Sequence, residues 1–156
     1  MKNVCFRFGS VFQNKAEILP NPPVDFDVEQ TRRGTSAEFA LRRQGNLLYA
    51  AEFRKLSFAK RGLYVFDSEG REMGVLIPAP KFRVRFEIAL SNGQSFLING
   101  WDRGMKIYCS SIEVGTLSLE RMTTNRYSLS IIDGLDLPLF TLFSIGVVIL
   151  IDELYA

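Results

Sequence analysis

Eight cationic side chains, Arg32, Arg33, Arg42, Arg43, Arg54, Lys55, Lys60 and Arg61, fall between residues 32 and 61 against two acids, Glu38 and Glu52. Guanidinium groups fork onto phosphate oxygens and ammonium groups act as mobile point charges. Several brought to one place therefore suit a multivalent phosphate or another anionic ligand. The same charges also serve as a solvated surface that keeps strand edges from pairing. Arg42 and Arg43 are neighbours, so in a regular strand they face opposite ways, and only a bulge brings both to one patch.

Little else in the chain suggests chemistry. Histidine is absent, which removes the commonest general base, a Ser-His pair and the histidine-containing zinc sites. Cys5 and Cys109 are the only cysteines; they lack further soft ligands and indicate no disulfide framework. No phosphate-cradling glycine loop occurs, and Gly100–Gly104, "GWDRG", has the spacing of neither familiar motif. Two carboxylate pairs remain, Asp25 with Asp27 and Asp133 with Asp136. The first reads as solvated strand charge, the second as a turn residue and a helix cap. No catalytic residue, cofactor or metal site is expected.

The elements that must position these residues are mostly strands. Val24, Phe26 and Val28 alternate with Asp25, Asp27 and Glu29, and Phe82, Val84, Phe86, Ile88 and Leu90 with Arg83, Arg85 and Glu87. Val4, Phe6 and Phe8, then Met105, Ile107 and Cys109, then Tyr127, Leu129 and Ile131 repeat the pattern. A period of two marks sheets with one wet face and one buried face. Turn signals separate the runs at Gly45-Asn46, Arg61-Gly62, Glu69-Gly70, Asn92-Gly93, Asn99-Gly100, Arg103-Gly104, Asn125-Arg126 and Asp133-Gly134. Their spacing predicts an all-β sandwich or barrel of antiparallel hairpins.

The final segment differs. Asp136 is a good N-cap, Pro138 suits a first helical turn, and fifteen uncharged residues separate Asp136 from Asp152. A helix over about 138–154 is apolar on every side and must be enclosed on every side. A bilayer asks for about 20 apolar residues with basic flanks; this run is shorter and its flanks are acidic. The alternative enclosure is a closed barrel of about 12 strands with the helix buried inside, one domain spanning 1–156.

That architecture, with the ending "GLDLPLFTLFSIGVVILIDE" (Gly134–Glu153) and the hairpin phrase "YVFDSEGREMGVL" (Tyr64–Leu76), resembles the tubby C-terminal-like superfamily. This group includes tubby domains, phospholipid scramblases and plant LURP-one-related proteins. The resemblance implies a tubby-like barrel and lipid binding, since tubby domains hold phosphoinositide head groups through surface lysine and arginine. Scramblases also carry a calcium-binding segment before the final helix. In Thr123–Asp136 only Asp133 and Asp136 are acidic and Arg126 stands where an acid is wanted, so calcium is not carried over.

The expected function is a non-enzymatic binding module for an anionic ligand, such as a phosphoinositide or phospholipid head group. Two other readings stand beside it: a tail-anchored or scramblase-like membrane protein, and an enzyme with an unrecognised carboxylate site. The start "MKNVCFRFGS" lacks a signal-peptide pattern, which predicts a cytoplasmic protein with at most peripheral membrane contact. A net charge of +2 gives no reason to expect nucleic acid.

Overall fold

A computed structural model describes residues 1–9, 15–57, 60–79, 84–101, 104–121 and 125–155. Phe82 and Arg83, Arg103 of the expected Arg103-Gly104 turn, and Thr123-Thr124 lie outside the described residues. Twelve strands precede one long helix: β1 (Lys2–Phe8), β2 (Ala16–Ile18), β3 (Phe26–Thr31), β4 (Glu38–Arg43), β5 (Asn46–Ser57), β6 (Lys60–Asp67), β7 (Glu72–Pro78), β8 (Val84–Leu90), β9 (Ser95–Trp101), β10 (Gly104–Cys109), β11 (Ile112–Arg121), β12 (Arg126–Ile131) and α1 (Leu137–Tyr155). A single 3-10 turn, Gly34–Ser36, joins β3 to β4.

Sheet order is β2-β1-β12-β11-β10-β9-β8-β7-β6-β5-β4-β3, and every pair is antiparallel. Each hairpin places its strands side by side, and β1 returns to pair with β12. The sheet thus curls into a nearly closed barrel whose remaining seam lies between β2 and β3. Gln30 bridges that seam with its side chain. Its Oε1 accepts from the Ala16 backbone N–H at 2.7 Å and its Nε2 donates to the Arg32 carbonyl at 3.1 Å. Gln30 is one of three buried polar residues among those described, and both its polar atoms are used, as burial requires.

The helix fills the barrel. It contacts β1, β4, β6, β7, β8 and β12, together with the 3-10 turn. Leu142, Phe143, Ile145 and Val147 are fully buried. Phe140 meets Phe96 edge-on with ring centroids 4.9 Å apart. Thr141 and Ser144 return their hydroxyls to the carbonyls of Leu137 and Phe140, both at 2.7 Å, so neither brings an unmet donor into the core. At Gly146 a Cβ would lie 2.7 Å from Leu63 Cδ2 and 3.1 Å from Leu76 Cδ2; the missing side chain is what lets β6 and β7 close on the helix. Among the described residues no helix is long and apolar enough to cross a membrane. The apolar run is enclosed by its own strands.

Two expected turns are strand instead. Arg61-Gly62 lies within β6, where a Cβ on Gly62 would come 2.9 Å from the Leu76 carbonyl oxygen. Asn99-Gly100 lies within β9, where a Cβ on Gly100 would come 2.5 Å from the Gly104 carbonyl oxygen. Both glycines mark close backbone approach rather than chain reversal. Conversely, β10 turns into β11 through Ser110 and Ser111, at φ of 50° and 67°, a mirror-image hairpin turn without the usual Asn-Gly. The β4–β5 turn falls at Gln44 and Gly45, one residue before its expected place.

Candidate functional site

The barrel has two distinct ends, set by the direction of α1. Asp136 begins the helix beside Tyr49, near the start of β5, and accepts the Tyr49 hydroxyl. Midway, Gly146 packs on Leu63 and Leu76. At the far end Ile149, Asp152 and Glu153 share a cavity of about 310 Å³ with Phe8, Gly34 and Thr35. Strand β5 therefore runs alongside the helix, with Tyr49 at the helix start and Lys55 toward its finish.

This geometry divides the eight-residue basic window. Arg42 and Arg43 lie at the helix-start end and are occupied. Arg42 donates to Glu29 at 2.8 Å, and Arg43 Nε lies 3.0 Å from Asp25 Oδ2. The register shift beside Leu41 and Arg42 places its extra residue, Leu48, on β5, while β4 keeps an unbroken register with β3 through both arginines. The carboxylates of Asp25 and Asp133 are likewise taken, by Arg43 and by the Met1 amine at 3.2 Å. Arg54 sits on the outer wall, bound to Glu52 through Nε at 2.9 Å and Nη2 at 2.6 Å. Its guanidinium lies about 5 Å from the rings of Tyr64 and Phe66. Arg32, at φ 57°, stands 3.8 Å from Glu38.

Lys55, Lys60 and Arg61 remain together. Lys55 and Arg61 are register partners, two residues beyond the buried pair Phe53–Leu63. Alternation puts them on the inward side of the wall but past the last core layer, so they border the barrel mouth. Lys60 pairs in register with Ser57 next to them. Lys55 and Lys60 are exposed and Arg61 half-buried, and among the described residues none of the three has an acidic partner. Arg33, also exposed and without one, flanks the same end just before the 3-10 turn. The mouth is not uniformly positive. Asp152 and Glu153 stand on its 3-10 side, and burial holds the Asp152 carboxyl above the usual carboxylate range.

A second concavity escaped the sequence reading. On the outer wall, β7 to β10 form a trough of about 690 Å³ lined by Ile77, Arg85, Glu87, Leu97, Asn99 and Tyr108, among others. The available signal was the polar side of the β8 alternation, Arg85 and Glu87. Their convergence with Asn99 and Tyr108 depends on strand register, which no single strand reveals. Among the described residues no group of three His, Cys, Asp or Glu side chains is placed to hold a metal ion. Arg126, in the segment compared with the scramblase calcium site, has its Nε 2.6 Å from Glu120. No family model, curated protein or solved structure matches this chain.

Proposed function

We propose that this chain is a non-enzymatic binding module of tubby- and scramblase-like kind, docking peripherally on anionic lipid at the cytoplasmic side of a membrane. One observation carries the reading: Lys55, Lys60 and Arg61 cluster at one barrel mouth, and among the described residues none of them has an acidic partner. The interior is filled by α1, which leaves the mouths and outer walls as the places where a ligand can bind. The contact narrows from the eight-residue window to these three residues with Arg33 at their flank, because Arg32, Arg42, Arg43 and Arg54 already have acidic partners.

Each basic residue close to an anionic lipid surface contributes about 1 kcal/mol. Three together give about 3 kcal/mol, on the order of a hundredfold in partitioning. Vesicle pelleting with phosphoinositide-containing and purely zwitterionic lipid tests this. The triple reversal K55E/K60E/R61E should lose binding while keeping its melting temperature, and R42E/R43E should still pellet. Pelleting unchanged by the triple reversal rejects the site. Competition by a soluble inositol phosphate distinguishes head-group recognition from surface charge alone.

A further inference from the structure

Register places the polar residues of the outer-wall trough in two rows. Arg85 and Asn99 face each other across β8 and β9, with Lys106 beside Asn99 on β10 just outside the trough lining. Ile77, Glu87, Leu97 and Tyr108 form the next row across β7 to β10. The intervening Phe86, Ile98 and Ile107 point into the core, so both rows face outward. Two residues along a strand separate the rows by about 7 Å. The first row presents cationic and amide donors. The second presents a carboxylate and a phenol ring over the apolar side chains of Ile77 and Leu97.

The charges of the first row are loosely served by the fold. Arg85 Nη2 is 3.7 Å from Glu87 Oε1 and Lys106 Nζ is 3.8 Å from Glu113 Oε1, both beyond hydrogen-bond range. Arg85 Nε is enclosed with no acceptor in hydrogen-bond geometry; Arg43 Nε and Arg126 Nε are too, but each of those has a carboxylate oxygen within 3.0 Å. Arg42 and Arg54, by contrast, make bonds of 2.8 Å and 2.6 Å elsewhere on the surface. The trough is the size of a small-molecule site.

We infer that this trough binds a small zwitterion whose acid and amine are joined by a short apolar chain. The acid group meets Arg85 and Asn99. The ammonium meets Glu87 and the face of Tyr108, and the chain between them lies on Leu97 and Ile77. A single charge does not suit the site. An anion alone would face Glu87, and a cation alone would face Arg85. The trough lies on the outer face of the wall, whereas Lys55 and Arg61 alternate to its inner side, and it does not depend on the lipid reading.

Calorimetric and amide-shift titrations of the full chain with 5-aminopentanoate and 6-aminohexanoate test the inference, with pentanoate and pentylamine as single-charge controls. The zwitterions should bind saturably, with shifts confined to β7–β10, and each control should bind at least about tenfold more weakly. Arg85→Gln and Glu87→Gln should each weaken zwitterion binding by about tenfold or more, while Arg54→Gln leaves it unchanged. No saturable binding by either zwitterion, equal binding of the controls, or binding that survives Arg85→Gln overturns the assignment.

Discussion

The two ends of the barrel handle charge in opposite ways. Where α1 begins, each charged group discussed has an internal use. Asp136 Oδ1 accepts the Leu139 N–H at 3.1 Å, its backbone carbonyl accepts Phe140 N–H at 3.0 Å, and Oδ2 accepts the Tyr49 hydroxyl. Lys2 donates to the Leu135 carbonyl at 2.8 Å. Asp67, the register partner of Tyr49, accepts the backbone N–H groups of Arg71 and Glu69, which hold its carboxyl below the usual range. Where α1 ends, Asp152 and Glu153 occupy the last turns, the dipole favours cations there, and the last turn has no basic residue. At the same end Lys55, Lys60 and Arg61 have no acidic partner among the described residues. One end spends its charges on holding the helix in place; the other leaves them available to something outside the fold.

The helix is common to both ends, so its loss is the largest expected effect. Deleting residues 137–156 removes the barrel core, and the product should aggregate, with the cooperative thermal transition lost. A tail anchor would instead leave a folded barrel. Phe143→Ala keeps the helix but empties a fully buried site, which costs about 3–5 kcal/mol in urea denaturation. Gly146 gives a finer measure of the fit. Valine there should cost about 1–3 kcal/mol or more by overpacking. Alanine trades a helix-propensity gain of about 1 kcal/mol against a contact with movable Leu side-chain ends, and should come out near neutral. An alanine variant as damaged as the valine variant would mean that β6 and β7 cannot yield at all.

The helix-start end is next. Asp136→Ala removes the cap and the acceptor of Tyr49, an expected loss of about 1–2 kcal/mol. The Tyr49 hydroxyl keeps its proton far above the usual tyrosine range, through burial first and the bond to Asp136 second. The folded state therefore binds more protons than the unfolded chain once the pH passes the ordinary tyrosine value of about 10, and stability falls as the pH rises from there. Tyr49→Phe should be less stable at neutral pH yet lose part of this alkaline decline. Melting curves that decline in parallel for the two proteins would assign the decline to other groups.

The antiparallel barrel of about twelve strands, the buried helix and the cap at Asp136 were legible because they rest on local signals: alternation, turn residues, and an apolar run too short for lipid. Cys5 shows the limit of alternation. It occupies the polar side of β1 yet is buried, its thiol 3.6 Å from Glu120. The candidate site was less legible because it depends on which end of the barrel a residue reaches. Arg43 and Lys55 are twelve positions apart in the sequence, yet the β4–β5 hairpin carries them to opposite ends. Gly62 and Gly100 imitate turns because close packing and chain reversal both favour a residue without Cβ. Gln30, which bridges the seam, has no sequence signature, since its role follows from β2 lying beside β3.

The smallest effect separates the two ends most directly. Burial holds the Asp152 carboxyl above its ordinary value, so across the interval from the unfolded to the folded value the native state carries the extra proton. Stability therefore falls as the pH rises through that interval, and the deficit persists at neutral pH. Removing a negative charge from the end of a helix is worth about 0.3–1 kcal/mol, and partial exposure keeps it toward the low end. Asp152→Asn should thus raise stability in urea titrations at neutral pH and make no difference in acid, below both values, where the aspartate is already protonated. Asp136→Asn at the other end should show the reverse sign, since there the charge supports the helix. If Asp152→Asn instead destabilised the protein, the mouth cations would already be serving the helix terminus and would not be left over for a ligand.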